Sequence, residues 1–250
     1  MFAIVNMSAR SATEVVGRCR LSDEQAISID SELAQVDLHP GFTNGLEGER
    51  TFNLRVFREV RSNPEIAAQV STNTEYGRWQ RSLIWAYLKT VGRPILYADE
   101  LTYLRLTREQ IKWSSLPYRE MKRQARHFEA QVQAVPRIFV ATRILMPGYA
   151  SPVMRRDDTI ARINGTRIFI ALHRYAQRHG TYPASLSVLA SGLKWTAPLD
   201  PFSGGPFKYK RTDKGFLLYS IGSNLKDDGG VEKTKEPGKT DDGDIVWRGV

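Results

Sequence analysis

Apolar residues recur every three or four positions through most of the first 150 residues, a period that predicts helices. Ser22 and Gln25 form a capping-box pattern at the start of the first of them, which we expect to extend towards Leu38. Further helical patterns cover residues 46–60, 79–88, 101–113 and 118–135. The pattern therefore predicts an all-α part over roughly residues 20–150.

Proline, glycine and polar residues separate these helical patterns. His39-Pro40-Gly41 is expected to interrupt the first two, and Gly92-Arg93-Pro94 is expected to stop the helix over 79–88. The polar segment 62–75 carries a proline and is predicted to be a loop.

A long amphipathic helix is predicted from about Asp157 to His179, with Gly180 as the residue that ends it. Its apolar stripe includes Ile160. We expect the helix to pack the following side chains onto a small antiparallel sheet: Ile163, Ile168, Leu172 and Tyr175.

Short β-like runs follow the long helix. Residues 206–210 and 215–221 alternate as paired strands should, with a turn over 212–215, and residues 245–247 predict a third strand. The expected fold class is α+β: a helical domain over residues 1–150, then an α+β domain over 151–250 with an acidic C-terminal loop.

Composition narrows the possible functions only slightly. The chain has 250 residues and a formal charge of +9, but no dense basic run or nucleic-acid motif, so we expect no nucleic-acid partner. The single Cys19 excludes an internal disulfide framework and a cysteine-built zinc site. No stretch approaches the roughly 20 apolar residues of a membrane span.

Candidate catalytic chemistry is sparse. The 4 histidines lack any zinc-binding spacing, and there is no nucleophile elbow or phosphate loop. Acid pairs such as Asp99-Glu100 and Asp157-Asp158 lie near expected helix starts, where they favour the helix dipole. We therefore predict no catalytic residues.

The tail after Ile221 combines acids with glycines. Carboxylates and loop carbonyls are the ligands that calcium prefers, and glycine lets a loop fold back around an ion. The residues alone leave a calcium site and a solvated acidic tail equally open. The acids in question are Asp227, Asp228, Asp241, Asp242 and Asp244.

The order of motifs from about Ile160 to Trp247 resembles the periplasmic part of the major pseudopilin of type II secretion systems. The motifs after the long helix are Tyr182-Pro183, Leu199-Asp200-Pro201-Phe202, Pro206-Phe207, Leu218-Tyr219-Ser220 and Asp242-Gly243-Asp244-Ile245. This resemblance implies a structural calcium ion held by the side chains of Asp242 and Asp244. Carbonyls around Ser223, Asn224 and Leu225 would complete the site, with Asp227 or Asp228 as a further candidate.

The whole chain is also similar to a group of exported bacterial proteins of planctomycete type, a group with no established activity. The similarity lies in Leu21-Ser22-Asp23-Glu24, Glu47-Gly48-Glu49-Arg50, Gly92-Arg93-Pro94 and Asp227-Asp228-Gly229-Gly230. It implies an extracytoplasmic location, in the periplasm or cell envelope, and a membrane anchor in a segment absent from this chain.

Two hypotheses about function remain. The first is a non-enzymatic interaction or structural protein with a calcium-stabilised pseudopilin-like module and an unidentified protein partner. The alternative is an enzyme or small-molecule-binding protein with a site in the helical half. A deep polar pocket with a perturbed carboxylate or histidine in residues 20–150 would favour the alternative.

Overall fold

A computed structural model describes residue 13 and residues 21–62, 92–146, 150–232 and 243–249. The chain divides into two compact units. One, here called the sheet unit, comprises Met1–Leu38, Pro117–Lys122 and Ala150–Val250. The other, the helical unit, comprises His39–Leu116 and Arg123–Tyr149. The domain boundary at residue 150 stays a prediction.

The described secondary structure combines helices with one small antiparallel sheet, and this confirms the α+β class at that level. The helices are α1 (Asp23–Ala34), α2 (His39–Ser62), α3 (Gly92–Trp113), α4 (Tyr118–Gln133), α5 (Val140–Leu145), α6 (Ala150–His179) and α7 (Leu186–Leu193). The strands are β1 (Lys208–Thr212), β2 (Gly215–Ser220) and β3 (Ile245–Gly249), in the order β1-β2-β3.

Local sequence motifs predicted several helix ends correctly. Ser22 and Gln25 form the predicted capping box at the start of α1, and Gly180 follows α6 with a φ of 74°. The predicted helix over 79–88 and the loop residues 63–75 lie outside the described residues.

The two proline motifs begin helices rather than only separating them. Helix α2 starts at His39, earlier than the predicted residue 46, and α3 starts at Gly92. Pro40 and Pro94 therefore lie in first turns, where a missing N–H breaks no helical hydrogen bond.

The helical unit is built around contacts between α2 and α3. The buried rings of Phe57 and Tyr103 lie 5.4 Å apart between centroids. Asn53, also buried, donates its side-chain N–H to the Tyr103 hydroxyl over 2.8 Å, so the polar atoms inside this contact are paired.

Helix α6 packs on the sheet through small and aromatic residues. Gly165 lies against the indole of Trp247 in β3, and the ring of Phe169 lies 5.6 Å from that of Phe216 in β2. The predicted residues Ile163, Ile168 and Leu172 are buried as expected. The remaining one, Tyr175, instead has its ring against Gly192 of α7.

One face of the sheet packs against α6, and the other is partly covered by Gly230, which lies against Leu217 and Tyr219. Leu218 pairs with Tyr209 and Trp247 across the strands, and all three belong to the face against the helix. On the opposite face Lys210 and Arg248 are exposed on either side of Leu217. Strand β1 is an edge strand in the described sheet.

Ion pairs attach α1 to α6. Arg167 donates to Asp30 over 2.7 Å, and Arg174 donates to Asp23 over 2.9 Å. Arg178 also pairs with Asp23. Hydrogen bonding from Arg174 is the main reason that the pKa of Asp23 lies below its ordinary value. These arginines are thus used within the sheet unit.

The contact between Gly165 and Trp247 predicts a large effect of a single methyl group. A Cβ at Gly165 would overlap the indole, so Gly165→Ala should lower the free energy of unfolding by about 1–3 kcal/mol. Chemical denaturation with circular dichroism measures this change.

Gly48→Ala is the matched control, because Gly48 is an exposed helical glycine with open space around its Cβ position. Alanine should stabilise that helix by roughly 0.5–1 kcal/mol. Equal effects of the two substitutions would contradict the described contact.

Candidate functional site

The C-terminal loop joins β2 to β3, and its two ends meet through their backbones. Gly222 has a φ of 66°, and a Cβ there would collide with the carbonyl oxygen of Gly243. Only glycine permits both this conformation and this approach. The loop is therefore closed at its base immediately before Asp244.

Asp244 is 3% exposed and connects this base to the middle of the loop. Its Oδ2 accepts the Gly230 N–H over 2.7 Å, and its Oδ1 accepts the Asp228 N–H at 3.5 Å. Its own N–H donates to the Val231 carbonyl over 3.3 Å. The carboxylate thus binds the amides of two loop residues, and the backbone N–H of Asp244 binds the carbonyl of a third.

Burial raises the pKa of Asp244 above its ordinary value. The amides of Gly230 and Asp228 act in the opposite direction, whereas the negative charges of Asp228 and Asp227 add to the increase. The loop therefore brings Asp227 and Asp228 close enough to Asp244 for their charges to act on its carboxylate.

Asp227 is partly exposed and is attached to the sheet. Its Oδ1 accepts from the Gly229 N–H at 3.1 Å and from the Tyr219 hydroxyl at 3.0 Å, and Lys208 lies 3.5 Å from Oδ2. The Gly229 amide is the largest cause that lowers the pKa of Asp227. Burial, helped by Asp227, raises the pKa of Tyr219 to about 12.

Among the remaining predicted ligands, Asn224 and Ser223 already have polar partners. Asn224 donates to Asp228 Oδ2 over 2.8 Å, and its Oδ1 accepts the Lys226 N–H over 2.8 Å. Leu225 adopts a left-handed conformation with a φ of 62°. The Ser223 carbonyl accepts a hydrogen bond from the ammonium of Lys122 over 3.0 Å.

The side chains and backbone of the loop offer oxygen atoms, the donor type that hard cations prefer. Asp227, Asp228 and Asp244 are brought together, but Asp242 lies outside the described residues. Within the described ranges no set of three or more acid, histidine or cysteine side chains is arranged to hold a metal ion. The full ligand set stays a prediction.

Asp200 supports the same region and was missed as a site residue. It is 1% exposed, and its Oδ1 accepts from the Ser220 hydroxyl at 2.7 Å and from the Phe202 N–H at 3.1 Å. It thereby joins the turn after residue 200 to the end of β2. The signal in the sequence was an aspartate directly before Pro201, which favours a turn.

A perturbed carboxylate also exists in the helical unit. Burial raises the pKa of Asp99, the feature that the alternative function requires. Its two oxygens, however, each accept a backbone N–H over 3.0 Å, from Ala141 and Thr142 at the start of α5. Asp99 therefore caps a helix, and this use of both oxygens is structural.

His173 lies among aromatic rings of the sheet unit. Its centroid is 4.6 Å from that of Phe169 and 5.7 Å from that of Tyr182, and Phe216 completes the cluster. Its Nε2 is buried without a hydrogen-bond partner among the residues that the structure describes. Burial lowers the pKa of this imidazole.

Comparisons with known proteins give no relative. A scan against protein-family models, a search of curated proteins and a search of solved structures each return no significant match. In the described part of the chain, every helix is too short or too polar to cross a membrane.

The buried imidazole predicts a loss of stability in mild acid. The unfolded chain takes up a proton near the ordinary His pKa of 6.5, whereas folded His173 resists protonation to a lower pH. The stability contributed by neutral His173 is fully present above pH 6.5. It is lost as the pH falls from 6.5 towards the lowered pKa of the folded state. The slope in that window should reach at most about 1.4 kcal/mol per pH unit.

His173→Phe keeps an aromatic ring but removes the titration, so its free energy of unfolding should change less between about pH 7.5 and pH 5.5 than that of the wild type. Denaturant titrations at both pH values measure the difference. His179→Gln, at an exposed position, should retain the wild-type loss. If the free energy of unfolding of His173→Phe depends on pH as steeply as that of the wild type, His173 is not the group that causes the loss of stability in acid.

Proposed function

We propose that the sheet unit is a calcium-stabilised, pseudopilin-like module of a non-enzymatic protein that acts outside the cytoplasm. In this proposal the protein has a structural or interaction role towards a protein partner. The proposal also has the protein attached to a membrane.

The observation that carries the proposal is the buried carboxylate of Asp244. Burial is the main reason that its pKa is raised, and the nearby charges of Asp228 and Asp227 add to the increase. Bringing carboxylates together without a cation costs repulsion, and a calcium ion would remove that cost. Asp242 and Asp244 would be its side-chain ligands, and carbonyls of residues 223–225 would complete the coordination.

The order of elements also supports the pseudopilin-like part of the proposal. Helix α6 is followed by the short α7, the Asp200 turn, the β1-β2 hairpin, the glycine-rich loop and β3. This is the order that the resemblance implies. The helix lies on the sheet through Gly165 and Phe169, as a long pilin-type helix would.

The loop needs a source of stability other than apolar burial. Val231 is 56% exposed, and most other described loop positions are polar or glycine. Ordering a backbone costs roughly 1–2 kcal/mol per residue. An ion that crosslinks the loop to Asp244 would offset much of this cost, in addition to the hydrogen bonds already described.

Calcium should therefore raise the melting temperature, and a chelator should lower it. A ligand at 100 times its dissociation constant adds about 2.7 kcal/mol to the stability of the folded state, which corresponds to several degrees here. Differential scanning fluorimetry in excess calcium and in excess chelator measures the change.

Two ligand variants and a control make this test specific. Asp242→Ala and Asp244→Asn should abolish the calcium-dependent rise, whereas Asp213→Asn, in the exposed hairpin turn, should retain it. Equal melting temperatures of the wild type in calcium and in chelator would refute the calcium site.

The proposed location has its own test. The full-length gene product should be found in the envelope fraction and should be accessible to protease added from outside the inner membrane. Recovery of the intact product in the soluble cytoplasm would refute this location, independently of the calcium result.

A further inference from the structure

We infer that the edge of strand β1 is a docking site for a partner protein, which binds by adding an extended acidic segment to the sheet as a further strand. The inference rests on the interaction role proposed above and names the chemical class of the partner. It requires neither a metal ion nor attachment to a membrane.

The first observation is that β1 lies at the edge of the sheet formed by the described residues. It pairs with β2 on one side only, whereas β2 pairs with both β1 and β3. Four of its five residues are exposed. An edge strand presents backbone N–H and C=O groups along its outer side, and an extended peptide can pair with them as a new strand.

The register of the hairpin shows which backbone groups point away from β2. Thr212 and Gly215 are paired on either side of a two-residue turn, a position at which the two residues exchange hydrogen bonds. Hydrogen-bonded and non-hydrogen-bonded pairs then alternate along the ladder. The N–H and C=O groups of Tyr209 and Arg211 are therefore directed to the outer side, where they would pair with the backbone of an added strand.

Side-chain contacts hold these two residues in position. The Tyr209 hydroxyl donates to the Pro183 carbonyl over 2.7 Å, and the Arg211 guanidinium donates to the Tyr182 carbonyl over 3.3 Å. Both contacts attach β1 to the segment that follows α6. A strand held in this way loses little conformational freedom when a partner binds, which favours docking.

The charge of the edge determines which partner fits. Lys208, Lys210 and Arg211 are exposed. Lys208 lies 3.5 Å from the Asp227 carboxylate, whereas Lys210 and Arg211 form no ion pair within the described ranges. The two lysines are two positions apart and so lie on one face of the strand. An added strand with Asp or Glu at every second position would place its carboxylates opposite them, where opposite charges stabilise the pair.

Two other occupants satisfy these observations only in part. A second copy of β1 would bring its own cations against those of the first, which is unfavourable. An anionic membrane surface would attract the lysines, but it offers no backbone to the outward groups of Tyr209 and Arg211. An acidic strand satisfies both the charges and the backbone groups.

The test uses a labelled peptide of sequence Thr-Glu-Val-Glu-Val-Glu-Thr, which has glutamate at every second position and β-branched residues between them. Fluorescence anisotropy measures its binding to the whole chain, in excess chelator so that the result does not depend on calcium. We expect binding in the micromolar range that weakens as salt is added.

The control peptide is Thr-Glu-Pro-Glu-Pro-Glu-Thr, which keeps the charges and their spacing. Its prolines lack the backbone N–H groups that would pair with Tyr209 and Arg211 in an antiparallel arrangement. We expect at least a ten-fold loss of affinity, on the order of one or two lost hydrogen bonds. Equal binding of the two peptides would mean general charge attraction and would overturn the inference.

Lys210→Glu tests the edge itself, because it reverses an exposed charge that has no ion pair in the described part of the chain. It should weaken binding of the glutamate peptide about ten-fold, since an attraction becomes a repulsion. Lys112→Glu, at an exposed position of α3, is the matched control and should change the affinity by less than about two-fold. Equal losses in the two variants would overturn the inference.

Hydrogen exchange on the wild type avoids any folding defect of a variant. The amides of Tyr209 and Arg211 should exchange rapidly in the free protein and more slowly with the glutamate peptide bound. Slow exchange of both amides in the free protein would show that the edge is already covered. Peptide binding that leaves their exchange unchanged would place the peptide elsewhere, and either result overturns the inference.

The remaining outcomes separate the inference from the proposed function. Absence of peptide binding overturns the inference alone, because the calcium and location experiments measure other properties. Dimerisation that is abolished by Lys210→Glu would assign the edge to a second copy of the chain. Binding to vesicles of anionic phospholipid, without binding to the peptide, would assign it to a lipid surface. Both of these results overturn the inference.

Discussion

The close approach of Trp247 to helix α6 positions the rest of the sheet unit. The indole occupies the space that a side chain at residue 165 would need, and the Phe207 ring lies 6.0 Å from it. This contact determines how closely β3 approaches the helix. Asp244 directly precedes β3, so its place at the base of the loop follows from hydrophobic packing rather than from its own polar contacts.

Buried acids have a common role in this protein. Among the described residues, each buried carboxylate belongs to an aspartate and accepts at least one backbone N–H. Such charge-assisted hydrogen bonds are stronger than neutral ones and satisfy amides at helix starts and turns. The raised pKa of Asp99 therefore accompanies a structural use of both carboxylate oxygens. The residues are Asp99, Asp157, Asp200 and Asp244.

The parts of the fold that could be predicted depend on neighbours in sequence. The capping box at Ser22, the hairpin and the third strand all have local signals, and each was found. Pro40 and Pro94 were interpreted as breaks because the same residue suits both a helix end and a first turn. The position of Tyr175 against α7 depends on contacts that a periodic pattern cannot specify.

The contacts of the C-terminal loop could not be predicted from local sequence patterns either. Its acids and glycines predict that the chain folds back, but the sequence does not reveal which donors meet each oxygen. The Asp244 carboxylate meets amides far from it along the chain, and the Ser223 carbonyl meets a lysine from α4. Those partners become neighbours only after α4 and the sheet have assembled, so no local motif could have identified them.

The exposed lysines of β1 have a consequence for solubility. An edge strand offers unpaired backbone groups to any other extended chain. If two copies of this protein paired through β1, the cations Lys208, Lys210 and Arg211 of both copies would be brought together along one short edge, where like charges repel. The sheet therefore carries its own protection against edge-to-edge aggregation, and that protection weakens as salt screens the charges.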